Sequence, residues 1–134
     1  MFEGACLCGE IHYRVDGEIE EVSHCHCSMC QQIHGAAFGT YAGVKSVDFQ
    51  WLSGASKVKS FASSHGVHRT FCADCGSTLQ ALFDTEPGMI YLTMGTVRGN
   101  PEHPEPFHIF VGSKAPWFTI TDDFQQYDEW RDQP

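Results

Sequence analysis

Six short runs of this chain either alternate apolar with polar residues or concentrate β-branched and aromatic side chains: residues 11–15 (IHYRV), 47–51 (VDFQW), 67–71 (VHRTF), 78–83 (TLQALF), 89–93 (MIYLT) and 107–111 (FHIFV). Alternation with period two puts one face of an extended segment toward a core and the other toward water. Gly, Asp, Asn and Pro punctuate the gaps, so the pattern predicts a mainly β, antiparallel fold of short strands and tight turns. Helical periodicity is scarce. Only residues 28–34 and the acidic tail at 123–132 are long enough for a turn or two of helix.

A chain of 134 residues, 42% hydrophobic, is the size of one domain, and we read residues 1–134 as a single one. Thirteen glycines and six prolines suit many short elements, whose core is small and divided. Metal clips commonly stabilise such domains. The start, Met-Phe-Glu-Gly-Ala-Cys, lacks a basic segment followed by an apolar run, and no later stretch reaches the roughly 18 apolar residues of a membrane span. The expectation is a soluble, cytoplasmic protein.

Eight Lys and Arg against seventeen Asp and Glu leave a net charge of −9, with no basic cluster to offset it. Nucleic-acid binding is disfavoured, because neutralising phosphate supplies most of that affinity. An anionic substrate is also repelled at long range and needs local cationic help.

The seven cysteines change the picture most. They fall into three groups: Cys6 and Cys8; Cys25, Cys27 and Cys30; Cys72 and Cys75. An odd, tightly grouped set fits metal thiolates better than a disulfide framework. In Cys72-Ala73-Asp74-Cys75-Gly76 a turn aims both sulfurs at one point, with Gly76 taking a backbone conformation other residues resist. In an extended Cys-x-Cys, residues i and i+2 share a face, so Cys6 and Cys8 form a second two-pronged hook. Pairing the hooks gives a closed four-cysteine site typical of structural zinc, and leaves Cys25, Cys27 and Cys30 as an incomplete triad. Two alternatives stay open: a site using Cys25 and Cys27 with either remote hook, or a redox pair at Cys72/Cys75 or Cys27/Cys30.

A fourth ligand for the triad is a histidine, a water or a substrate. His24 and His26 are nearest, but in an extended segment they face away from the cysteines. Their simplest role is one satisfied by backbone or solvent. His34, His65, His68 and His108 are more remote, and His12 and His103 have less to recommend them. Zinc held by three thiolates is a weaker Lewis acid than a three-histidine site, and its natural use is to hold an incoming thiol as a nucleophile. Making or breaking a carbon–sulfur bond is the matching reaction class.

Four motifs in order carry a family resemblance: Gly4-Ala5-Cys6-Leu7-Cys8-Gly9 running on to Tyr13; Cys25-His26-Cys27-Ser28-Met29-Cys30; Phe71-Cys72-Ala73-Asp74-Cys75-Gly76-Ser77; and Pro106-Phe107-His108-Ile109 running on to Ser113 and Trp117. Together they resemble the glutathione-dependent formaldehyde-activating enzyme family, which includes centromere-protein-V-like proteins. The resemblance covers about residues 2–120, followed by an acidic tail at 121–134. It implies an Mss4-like antiparallel β fold, shared with a small nucleotide-exchange chaperone and stapled by zinc. It also implies two zinc ions per chain, a structural one on Cys6, Cys8, Cys72 and Cys75 and a second, open one on Cys25, Cys27 and Cys30. The implied activity is carbon–sulfur lyase chemistry on a small thiol or thiol–aldehyde adduct, in the named member the condensation of glutathione with formaldehyde. The alternative is a non-catalytic, zinc-stabilised binding module whose triad is closed by a protein side chain.

Two features depart from the family pattern. A position that is commonly basic holds Gln31, followed by Gln32, and no motif identifies a glutathione pocket. His108 and Ser113 belong to the fingerprint, with a buried hydrogen-bonding role near the metal as the modest expectation for His108. Of the aromatic residues Phe38, Tyr41, Trp51, Phe61, Phe107, Phe110 and Trp117, most are expected in the core and a minority around the triad. The tail is expected to be a docking lid or an oligomer contact.

Overall fold

The structure, a computed structural model, describes residues 1–131; the end of the predicted tail helix, residues 132–134, lies outside the described residues. Among the described residues, ten strands, one short α-helix and four single turns of 3-10 helix make up the regular structure. A three-stranded antiparallel sheet has the order β1 (Phe2–Ala5), β2 (His12–Val15), β5 (Phe49–Ser53). The larger, seven-stranded sheet has the order β10 (Phe107–Ile109), β3 (Glu21–Cys25), β4 (Gly39–Lys45), β9 (Met89–Thr93), β8 (Thr78–Phe83), β7 (Val67–Cys72), β6 (Val58–Ser64). The mainly β class is thus as the residue pattern indicates.

The pairing is antiparallel throughout except at one edge, where β10 runs parallel to β3 and sets His108 beside His24 and Ile109 beside Cys25. That parallel edge is the one exception among the strand pairs of a mainly antiparallel fold. It arises because β10 returns from a long excursion after β9 instead of from a hairpin, which only antiparallel neighbours permit.

The two sheets meet over a buried cluster in which Phe2, Tyr13 and Val15 from the small sheet face Val22, Ala42, Val44 and Leu92 from the large one. Burying side chains of this size contributes about 1.5–3 kcal/mol each before entropy is counted. Two further clusters contain the cysteines. One includes Cys6, Ile11, Cys72 and Leu79, and the other Cys25, Cys30, Tyr41, Ala81, Phe107 and Ile109. The core is divided, and two of its three parts are built around sulfur.

The helix α1 spans Ser28–His34, as its sequence pattern predicts. The tail forms no helix between 123 and 131. Its backbone instead runs along β10: the amides of His108 and Phe110 donate to the carbonyls of Gln125 and Glu129, and that of Tyr127 donates back to His108. Satisfying an exposed strand edge outweighs the weak propensity of a short helix.

Candidate metal centres

The first cysteine cluster forms where the entry to the small sheet meets a hairpin of the large one. Cys6 and Cys8 follow β1, Cys72 ends β7, and Cys75 lies in the turn before β8. Their four sulfurs all lie within 4.8 Å of one another. Separations of 3.5 Å for Cys6–Cys8 and 3.8 Å for Cys8–Cys72 compare with the edge of about 3.8 Å in a thiolate tetrahedron whose metal–sulfur bonds are ~2.3 Å. They are far longer than a disulfide, and all seven cysteines are free.

Backbone amides point at these sulfurs: Ile11 N–H approaches Cys6 Sγ at 3.4 Å and Cys75 N–H approaches Cys72 Sγ at 3.5 Å. Ser77 completes the turn, its hydroxyl 3.3 Å from Cys75 Sγ while accepting the Leu7 amide at 2.9 Å. The Ser77 hydroxyl, helped by the backbone of Cys8 and Ser77, draws the Cys75 thiol down to about 5. Gly76 has φ +79°, the left-handed conformation that the knuckle requires and that a β-carbon disfavours. The donor set suits a tetrahedral soft-metal site.

The second cluster gathers at the edge where β3 runs into α1. Cys25 ends β3, Cys27 is the N-cap of α1, and Cys30 lies in its first turn, with all three sulfurs within 4.8 Å. Cys27 Sγ accepts the amide of Cys30 at 3.3 Å, so one sulfur both caps the helix and joins the triad. Hydrogen bonds from Cys25 and Cys30 pull the Cys27 thiol far down toward the thiolate, with Arg69 adding to the effect. The same sharing pushes Cys25 up. Three sulfurs that must share protons in this way are better served by a cation.

A buried polar web backs the triad. Arg69, only 4% exposed, donates from one guanidinium nitrogen to the Tyr41 hydroxyl at 2.7 Å and approaches Cys30 Sγ at 3.5 Å. Its Nε donates to Ser63 at 3.1 Å. The Tyr41 hydroxyl lies 3.3 Å from Cys30 Sγ and 2.8 Å from His34 Nε2. Burial lowers the affinity of His34 for a proton, Arg69 adds to this, and burial raises the Tyr41 phenol above its usual range. Gly39 makes room, since a β-carbon there would sit 2.5 Å from His34 Nε2 and 3.1 Å from the Tyr41 ring.

On the other side of the strand His24 and His26 turn away from the sulfurs. His24 Nδ1 pairs with the Thr40 hydroxyl at 2.8 Å, and His26 Nε2 with His108 Nδ1 at 2.8 Å. His108 Nε2 in turn faces Asp122 of the tail at 3.0 Å. The partners of both histidines are therefore side chains rather than the backbone or solvent that the sequence suggests. His26 Nδ1 is buried with no hydrogen-bond partner among the described residues. Gln31, which replaces a commonly basic position, donates to the carbonyls of His26 and Ser113 at 2.8 and 3.0 Å, tying the cysteine loop to the turn after β10.

The triad opens into a cavity of about 610 Å³. Cys25, Cys27, Cys30, Tyr41 and Arg69 line it together with an aromatic set, Phe83, Tyr91, Phe107, Phe110 and Trp130. Phe110 adopts φ 55°, a strained conformation for a non-glycine residue, and its ring meets Trp130 edge-on at 4.9 Å. Of the aromatic residues singled out in sequence, Tyr41, Phe107 and Phe110 reach this cavity, Trp51 packs on the core, and Phe38 packs on His24 and His26. Phe61 and Trp117 are exposed, contrary to the packing expected of them. Arg69 and Trp130 carried no sequence signal: one is a lone cation within a strand, the other an aromatic in the tail.

A two-sheet β protein with two cysteine clusters, each able to hold a metal ion, is the class that this geometry defines. The profile of the family described as glutathione-dependent formaldehyde-activating enzyme matches residues 1–113, and the chain belongs to that family. A protein of Schizosaccharomyces pombe named as an uncharacterized lyase is 33% identical over 78 residues, which cover 58% of this chain and 55% of that protein. The chain therefore matches only about half the length of that relative. The crystal structure of a Rhodobacter sphaeroides protein superposes with a TM-score of 0.63 at 18% identity, covering 78% of this chain and 97% of that one. That likeness is one of fold. Among the described residues, no helix is long and apolar enough to cross a membrane.

Proposed function

We propose that this chain is a zinc-dependent carbon–sulfur lyase acting on a small thiol–aldehyde adduct, with a structural zinc on Cys6, Cys8, Cys72 and Cys75 and an open zinc on Cys25, Cys27 and Cys30. One observation carries the reading: three sulfurs converge on the wall of a ligand-sized cavity, and no histidine or carboxylate among the described residues joins them. A binding module would need a side chain closing that triad. Family membership and the lyase name of the yeast relative support the same class.

Cys25, Cys27 and Cys30 would hold the zinc, which would favour an incoming thiol in its deprotonated form. In the synthetic direction the thiol sulfur bonds to the aldehyde carbon and the carbonyl π pair moves to oxygen. That oxygen ends as a hydroxyl carrying the proton the thiol gave up. Cleavage is the reverse, and neither direction changes oxidation state. Arg69 offsets the negative charge of the sulfurs through Cys30 and fixes the Tyr41 hydroxyl. That hydroxyl, held also by His34, is the polar group placed beside the sulfurs to bind the adduct oxygen.

The test is hemithioacetal exchange, followed by NMR with zinc-loaded protein and a panel of thiols and aldehydes. Acceleration is expected, and Cys27→Ser should abolish it while one zinc per chain remains. No acceleration across the panel would overturn the lyase reading.

A further inference from the structure

The cavity beside the triad combines a soft floor, an aromatic wall and a charge pattern that is already closed on itself. Arg69 is spent on Tyr41, Cys30 and Ser63. Arg131 lies over the Phe107 ring at 4.3 Å and pairs with Glu21 at 3.5 Å. Glu86, the other carboxylate lining the cavity, accepts the Tyr91 hydroxyl at 2.9 Å. Among the described residues, the two arginines lining the cavity, Arg69 and Arg131, each already have partners in the protein. Gln31, where a basic residue is common, is likewise occupied with two backbone carbonyls.

Glutathione presents two carboxylates and one ammonium. Its carboxylates would approach Glu21 and Glu86 within a chain of net charge −9, where Arg69 and Arg131 are already engaged with groups of the protein. Volume does not discriminate, since about 610 Å³ holds either a tripeptide or a smaller ligand. Wall chemistry does. Phe83, Phe110 and Trp130 meet edge to face, with centroids 6.0 Å apart for Phe83–Trp130 and 4.9 Å for Phe110–Trp130, and they line the same cavity as the sulfurs. Aromatic ligands gain both area burial and ring contacts from such a wall.

We infer that the thiol recognised here is an uncharged one with an aromatic or branched apolar body, its sulfur toward Cys25, Cys27 and Cys30 and its body against Phe83, Phe110 and Trp130, in place of the anionic tripeptide thiol of the family's name. The inference rests on the proposed function for the position of the sulfur, and on the cavity wall and its charges for the class of thiol.

Calorimetric titration of the zinc-loaded protein with phenylmethanethiol and with glutathione, with Trp fluorescence as a second readout, tests it. Phenylmethanethiol is expected to bind at least about tenfold more tightly. Trp130→Ala should weaken the aromatic thiol by about tenfold or more and leave glutathione unchanged, and Glu86→Lys should improve glutathione. Equal or tighter binding of glutathione by the unaltered protein would overturn the substrate class while leaving the lyase reading standing. Failure of every thiol to bind would overturn both. If Trp130→Ala does not fold, Phe110→Leu, which removes the ring and keeps apolar bulk, carries the same comparison.

Discussion

Arg69 is the residue on which the triad's electrostatics turn. A buried guanidinium is tolerated because its donors meet Tyr41, Ser63 and Cys30, and because clustered thiolates need a nearby positive charge. Replacing it with Met leaves the tyrosine and the sulfur facing an apolar chain. Arg69→Met should cost about 3–5 kcal/mol in urea unfolding of the zinc-loaded protein, and Arg69→Lys, which keeps charge but loses the fork, clearly less. A loss below about 1 kcal/mol for the Met variant would show that the web is not a unit. His26 gives a pH-dependent counterpart. Burial, aided by neighbouring His108, lowers its pKa from 6.5 to about 4. In the unfolded chain His26 takes up its proton at the ordinary value, so between those pH values the unfolded state binds more protons. The stability it contributes is complete above pH 6.5 and is lost as pH falls toward 4. Histidine ring resonances in an NMR titration should show this one moving near pH 4, and a midpoint near 6.5 would refute its neutral burial.

At the scale of elements, the tail is the part whose removal is most informative. Its backbone accepts from the amides of His108 and Phe110, Asp122 holds His108, and Trp130 closes one wall of the cavity. A chain ending at residue 121 should show faster hydrogen exchange at the amides of His108 and Phe110, with the β8 and β9 amides unaffected. Unchanged protection at β10 would mean the pairing is not formed in solution. The elements also show where residue patterns speak and where they are silent. The residue pattern locates β8 and β9 to the residue, because apart from Gln80 both strands carry apolar or β-branched side chains. It passes over β4, whose glycines let Tyr91 and His34 pack close, and β6, an exposed edge strand rich in serine. β3 is hidden for another reason. It ends in Cys25 of the triad and carries His24, whose ring pairs with Thr40, and buried Ser23, so its polarity does not follow burial. The cysteine partition is legible because ligand spacing is local. The arginine, the tyrosine and the tryptophan around the triad come from β7, β4 and the tail, and only the fold brings them together.

For the whole molecule, the two cysteine clusters differ in what they join. The four-cysteine cluster links residues 6 and 8 to 72 and 75, fastening the small sheet to a hairpin of the large one, whereas the triad lies within six consecutive residues. By the loop-closure arithmetic used for cross-links, tying off a loop of about 65 residues stabilises by about 4 kcal/mol, and one of about six residues by about 2 kcal/mol. Cys72 is also fully buried between Ile11 and Leu79. Cys72→Ser should therefore lower the melting temperature severely or prevent folding. Cys27→Ser should leave a folded protein that has lost one metal and its reactivity toward thiols. Acid separates the same two centres. Metal binding requires deprotonated sulfur, so stability contributed by zinc falls as pH drops and thiols reprotonate. The four-cysteine cluster, which offers an ion four sulfurs against the three of the triad, should release its ion later in an acid titration than the triad. Zinc release measured with a chromophoric chelator across pH 7 to about 4 should then be biphasic, with Cys27→Ser removing only the earlier phase. A single phase, or loss of both phases in that variant, would mean that the two centres do not act independently.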